Sequence, residues 1–176
     1  MWTQRLVVAT AIGVLALGLA QPASADTGAT TATVTVTGGA LSITVPNDAG
    51  SLGSQVNTVG GGTISGSLGQ VQVNDARSAA AGSGWVVTVI STAFTPPSGP
   101  TIAASFVGYT AGAITKTGTA TFTANNPVNL TGAVAAVTAT GITGDNSATW
   151  NPTINVAVPG GTIANVYSAT ITHSVV

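Results

Sequence analysis
His173 is the only histidine in a chain of 176 residues, and it sets the limit on what chemistry the side chains could perform. A Ser-His-Asp triad needs the imidazole within hydrogen-bond reach of both partners. Serines are abundant, but no Gly-x-Ser-x-Gly elbow is present. Gly66-Ser67-Leu68-Gly69 and Gly82-Ser83-Gly84 read as turn-like glycine clusters. One histidine with no cysteine also falls short of the three or four ligands that zinc requires. Asn47-Asp48, Asn74-Asp75 and Asp145-Asn146 are oxygen-bearing pairs that could contribute to a calcium cage. Their other reading is turn chemistry, since Asn and Asp side chains bond to nearby backbone. Asp75 and Arg77 lie two residues apart and could form a local ion pair. The expectation is no catalytic residue, no metal and no cofactor.

The aromatic residues are the next candidates. Gly84-Trp85-Val86-Val87-Thr88-Val89 and the closing run Tyr167 to Val176 both alternate like half-buried strands. That alternation puts Trp85 and His173 on core-facing positions, His173 sharing a face with Ile171 and Val175. Trp150, beside Pro152 and near a turn, and Tyr109 are the candidates for exposed contacts.

These residues are carried by a chain that reads as β throughout. Thr33–Thr37 alternates strictly, Leu41–Val45 alternates again, and Gly38-Gly39 between them reads as a hairpin turn. Gly50 to Gly69 reads as loop, with a short strand at Thr63-Ile64-Ser65. Further strands are expected at Gln70–Asn74, Trp85–Thr92, Ile102–Tyr109, Gly118–Ala124, Val128–Thr138, Thr149–Pro159 and Tyr167 onward. Asp75-Ala76-Arg77 leads into a small-residue turn before Trp85, and Pro96–Pro100 and Asn125-Asn126-Pro127 read as breaks. No helix pattern and no fixed repeat occurs. Short strands parted by Gly, Pro and Asn turns imply an all-β, antiparallel β-sandwich, Ig-like or a related Greek-key arrangement. The Thr-x-Thr stretches at Thr33–Thr37 and Thr119–Thr123 read as solvent faces of ordinary strands.

The N-terminus bears on location. Arg5 precedes the apolar run Leu6–Ala20, then Gln21-Pro22 and the small residues Ala23-Ser24-Ala25. This is the pattern of a cleaved secretory signal peptide over residues 1–25, leaving one domain over 26–176. With no cysteine, the exported domain must be held by its own core. After cleavage an integral membrane protein is not expected. The product is expected to be secreted, extracellular or wall-associated, free or held non-covalently.

Past residue 25, two cations (Arg77, Lys116) face four carboxylates (Asp26, Asp48, Asp75, Asp145). Nucleic-acid binding needs clustered Lys and Arg, so that class is excluded. Thr, Ser, Asn and Gly supply the polar surface instead.

On its two aromatic segments the chain resembles WxL-type surface domains of Gram-positive bacteria. Trp85-Val86-Val87 stands at the family's mid-domain Trp-x-Leu. Tyr167, Ile171, Thr172, His173 and Val175 stand along its distal Tyr-x-x-x-Leu-Thr-Trp-x-Leu segment, with His173 in place of the second Trp. Val71-x-Val73-x-Asp75-x-Arg77 and Thr149-Trp150-Asn151-Pro152 look similar too. The resemblance implies a secreted, non-enzymatic β-sandwich that associates non-covalently with peptidoglycan or with other cell-surface proteins. The alternative expectation is a structural subunit that assembles through edge strands with itself or another surface protein.

Overall fold
The computed structural model describes residues 28–176. The signal-peptide reading of residues 1–25 lies outside them. Strands are β1 (Leu41–Thr44), β2 (Gly62–Ser67), β3 (Val71–Ser91), β4 (Val107–Thr110), β5 (Thr115–Ala124), β6 (Val134–Trp150), β7 (Thr153–Val158) and β8 (Ile171–Val175). All pairings are antiparallel. One sheet has the order β1-β3-β6-β5, with β8 also paired to β3. The other has the order β2-β7-β4. The two sheets pack face to face as an antiparallel sandwich. The chain changes sheet at every connection except the one from β5 to β6. Among the described residues no helix is long and apolar enough to cross a membrane.

The long pair β3–β6 organises the larger sheet. β1 and β8 line up end to end on the outer side of β3, against Gln72–Asp75 and Val87–Ser91. β5 flanks β6. The period-2 pattern explains the packing. Val71, Val73, Trp85, Val87 and Val89 of β3 are buried, as are Ile142, Ala148 and Trp150 of β6. From the facing sheet, Val107, Tyr109, Ile154 and Val156 close the core.

Two sequence expectations fail here for one reason. The small-residue stretch between Arg77 and Trp85 is not a turn but part of β3, and β6 does not end at Thr138 but runs on to Trp150. Both strands pass through their polar, glycine-rich middles by changing register, with shifts between Asp75/Ala79, Ala79/Ser83 and Ser83/Trp85. Ser78 (φ 52°), Gly82 (φ 88°) and Gly144 (φ 72°) take the left-handed conformation that such bulges use. Ser78 is held there by its N–H, which donates to Asp145 Oδ1 at 2.8 Å. The pairs Asn74-Asp75 and Asp145-Asn146 therefore lie in facing strands rather than turns, with Asp75 opposite Asn146.

The N-terminal expectation fails differently. Thr33–Thr37 forms no strand, and Gly38-Gly39 makes no hairpin. Those glycines instead lie flush against β3. A Cβ on Gly38 would sit 2.5 Å from the Arg77 carbonyl oxygen, so the approach requires a bare backbone. The terminal strand also starts later than its pattern suggests, at Ile171 rather than Tyr167.

Asp75 points into the core and is fully buried. Its Oδ1 accepts from Arg77 Nε at 2.8 Å and from the Arg77 backbone N–H at 3.2 Å. Its Oδ2 accepts from Arg77 Nη2 and from Asn146 Nδ2, both at 3.0 Å. Asn146 Oδ1 in turn accepts from Trp85 Nε1 at 3.0 Å. The expected ion pair is thus a bidentate fork at one end of a buried chain, which meets the requirement that a buried charge be paired and hydrogen-bonded. Arg77's hydrogen bonds hold the Asp75 carboxyl below its ordinary range, overcoming desolvation, with Asn146 assisting.

Asp75→Ala leaves Arg77 and Asn146 Nδ2 without their acceptor and should cost about 2–3 kcal/mol in urea unfolding at pH 7. Because the folded state lowers this pKa, the unfolded state binds more protons as the solution acidifies. The carboxylate's contribution is complete above about pH 4 and is lost as pH falls through the lower folded value. The gap between wild type and Asp75→Ala should therefore narrow below pH 4. A constant gap down to pH 2 would contradict this assignment.

Candidate functional site
The polar atoms of the interior meet at one further place. Trp150 ends β6, Tyr109 lies in β4 of the facing sheet, and His173 lies in β8. Trp150 Nε1–H donates to Tyr109 Oη at 2.7 Å, and Tyr109 Oη lies 3.2 Å from His173 Nε2. The Tyr109 and His173 rings meet edge-on with centroids 5.5 Å apart. If Tyr109 donates its O–H to Nε2, the histidine proton sits on Nδ1, a buried atom without a hydrogen-bond partner. Burial pushes the phenol up to about 12, and burial pulls the imidazole down to about 4. Both groups are neutral across the physiological range.

The expectation that Trp150 and Tyr109 are surface contacts is therefore corrected. They are 2% and 1% exposed. Trp150 falls on the inward row of β6 with Asn146 and Ala148, and its indole N–H needs a partner inside, which Tyr109 supplies. Trp85 is also buried, at 2%. No Ser or Asp hydrogen bond reaches His173 among the described residues, so nothing activates it as a base.

The carboxylates stay apart. Asp48 accepts from the Gly50 N–H at 2.8 Å, Asp145 serves Ser78, and Asp75 serves Arg77 and Asn146. No group of three or more His, Cys, Asp or Glu side chains converges among the described residues.

A cleft of about 820 Å³ lies between the segments 46–57 and 162–171. Its floor is apolar: Ile64 of β2, Val156 and Val158 of β7, and Phe94 with Ile102, which form a bridge to each other. Its rim is neutral and hydrogen-bonding, with Ser51, Ser54, Gln55, Asn57, Thr162 and Asn165. Asp48 is the one charged side chain on the lining. The walls are fastened rather than loose. Gly66 lets the Leu52 backbone lie directly on β2, since a Cβ there would come within 2.4 Å of the Leu52 carbonyl oxygen. Asn57 Nδ2 donates to the Thr162 carbonyl and so ties one wall to the other. Tyr167 O–H donates to the Ile163 carbonyl at 2.8 Å, closing a loop within the second wall.

Of the residues singled out from sequence, Asn47, Asp48, Tyr167 and Ile171 line this cleft. Apart from the run that begins at Tyr167, the walls come from stretches that read as loop and turn. Their clustered Asn, Gln and Ser side chains were a visible signal, but nothing in their spacing shows that residues about 110 apart face each other. No protein family matches the chain, and no curated protein or solved structure matches it either.

His173 makes acid stability testable. Its folded pKa of about 4 lies below the ordinary 6.5, so the unfolded state binds a proton that the folded state refuses between those values. The stabilisation from keeping it neutral is complete above pH 6.5 and is lost as pH falls to about 4, by at most about 3 kcal/mol. His173→Leu should flatten the pH 7 to pH 4 slope of the urea midpoint. An unchanged slope would refute a buried neutral imidazole.

Proposed function
We propose that this chain is a secreted, cell-envelope-associated binding module without catalytic activity, and that it holds the uncharged sugar strand of a wall polymer such as peptidoglycan, or a surface partner protein, non-covalently in the 46–57/162–171 cleft. The observation that carries the reading is the combination of an apolar floor with an almost uncharged, amide- and hydroxyl-rich rim. Concave sites that bury apolar surface and orient a ligand with a few polar groups suit such ligands. The likeness of Trp85-Val86-Val87 and the Tyr167–Val175 run to WxL-type domains supports the envelope location. In this reading the family's aromatic positions act as fold determinants, since Trp85 is buried and His173 packs on Tyr109. Contact with the ligand falls to the cleft, where Tyr167 is the one aromatic ring with a polar tip.

Sedimentation of the exported chain with purified cell walls tests this. Most of the protein should pellet, and the pelleted fraction should change little between low and high salt, because few charges are involved. Ala164→Trp, at an exposed position on the lining, should fill the cleft and weaken recovery about tenfold, equivalent to about 1.4 kcal/mol. Recovery wholly in the supernatant at every salt and pH, or undiminished pelleting of Ala164→Trp, would reject the proposal.

A further inference from the structure
Thr31-Ala32-Thr33-Val34-Thr35-Val36-Thr37 has the alternation of a half-buried strand but belongs to none. Its two valines are 90% and 82% exposed. It carries no charge, no proline and no glycine. Among the described residues nothing hydrogen-bonds to its backbone, and its two valines form an exposed apolar face.

A matching vacancy lies at the far edge of the larger sheet. β5 ends the order β1-β3-β6-β5 and pairs only with β6 among the described residues. Its first half is blunted by Lys116 and by register shifts around Gly118 (φ 86°), devices that discourage pairing. Its second half carries no charge of its own, although one register shift falls between Thr119 and Thr121 and the Lys116 ammonium reaches over the Phe122 ring, 5.7 Å from its centroid. From Thr119 to Ala124 the threonines face solvent while Ala120, Phe122 and Ala124 are half-buried on the core side. Phe122 packs on Trp85, ring centroids 5.5 Å apart, so the apolar face of the core continues to the open edge and stops there partly uncovered.

We propose that Thr31–Thr37 of one copy adds as a strand to the Thr119–Ala124 edge of β5 in a second copy. Val34 and Val36 then cover Ala120 and Phe122, and the donor threonines fall beside Thr119, Thr121 and Thr123 on the solvent face. The chain's own β5 is the wrong acceptor. Gly38 and Gly39 are held against Ala76 and Arg77 at the opposite side of the sheet. Three strand spacings, about 14 Å, separate that side from β5. Seven residues cannot both cross that width and run along the strand. Donor and acceptor are different surfaces, so the contact is head-to-tail and propagates into rows of copies. The inference does not use the cleft and stands or falls apart from it.

The chain has no cysteine, which makes disulfide trapping clean. Val34→Cys protein is mixed in turn with Ala120→Cys, Phe122→Cys and Ala124→Cys protein under mild oxidation. Light scattering follows the wild type and a Val34→Asp/Val36→Asp variant over a concentration series, with tryptophan fluorescence confirming the fold of each. The expected result is a mixed disulfide dimer with at least one β5 position, concentration-dependent assembly of the wild type, and assembly at least about tenfold weaker in the double Asp variant. Wall recovery of that variant should be unchanged. A wild type that stays monomeric throughout, disulfides formed only between two copies of residue 34, or undiminished assembly of the Asp variant would overturn the proposal. So would a doubly substituted Val34→Cys/Phe122→Cys chain that closes only on itself.

Discussion
The antiparallel pairing of β3 with β6 is the constraint on which the larger sheet depends. β1, β8 and β5 each pair with one of these two strands and with no other strand in that sheet. A pair this long would twist freely or slip unless its register were pinned. The pin is polar. Asp75 and Asn146 stand opposite each other inside the core, joined to Arg77 on one side and to Trp85 on the other. A slip of one residue would turn Asp75 outward and leave the indole N–H and the Asn146 amide unpaired in an apolar interior. The network thus selects one register, while the bulges beyond it absorb the extra residues of β3.

The second polar chain, Trp150–Tyr109–His173, joins the sheets to each other. It links the end of β6 to β4 and to β8 through two hydrogen bonds. Burial keeps the phenol and the imidazole uncharged, and among the described residues no carboxylate hydrogen-bonds to either ring. The two tryptophans that stand out in the sequence are buried, and the histidine packs against Tyr109. The hydrogen-bonding surface that could meet a ligand is assembled from loops around the cleft, with no reactive side chain among them. A domain with so few charges and no disulfide rests its stability on strand pairing, its apolar core and these two networks, the second of which leaves His173 Nδ1 without a partner.

Period-2 alternation was enough to read the all-β class, the strand at Gln70–Asn74, and the core position of Trp85. It misjudged the middle of β3 because glycine and serine serve equally in turns and in bulges, and only the presence of a partner strand distinguishes them. It misplaced Trp150 for a related reason. Proximity to Pro152 suggests an exposed turn, whereas Pro152 marks a corner where the chain passes from one sheet to the other beneath the core surface. Thr33–Thr37 is the reverse case, a strand pattern that pairs with no strand among the described residues.

The sequence by itself determined the class of fold, the near absence of charge, and the lack of any cysteine or second histidine for metal or nucleophilic chemistry. These follow from residue types and local periodicity, which are properties of the chain alone. Only the tertiary structure decided that Asp75 is a buried register pin, that Tyr109 and Trp150 face each other, and that the segments 46–57 and 162–171 enclose a cleft. Each of those depends on residues far apart in the chain being brought together, and alternation along a strand carries no information about which strand will lie opposite.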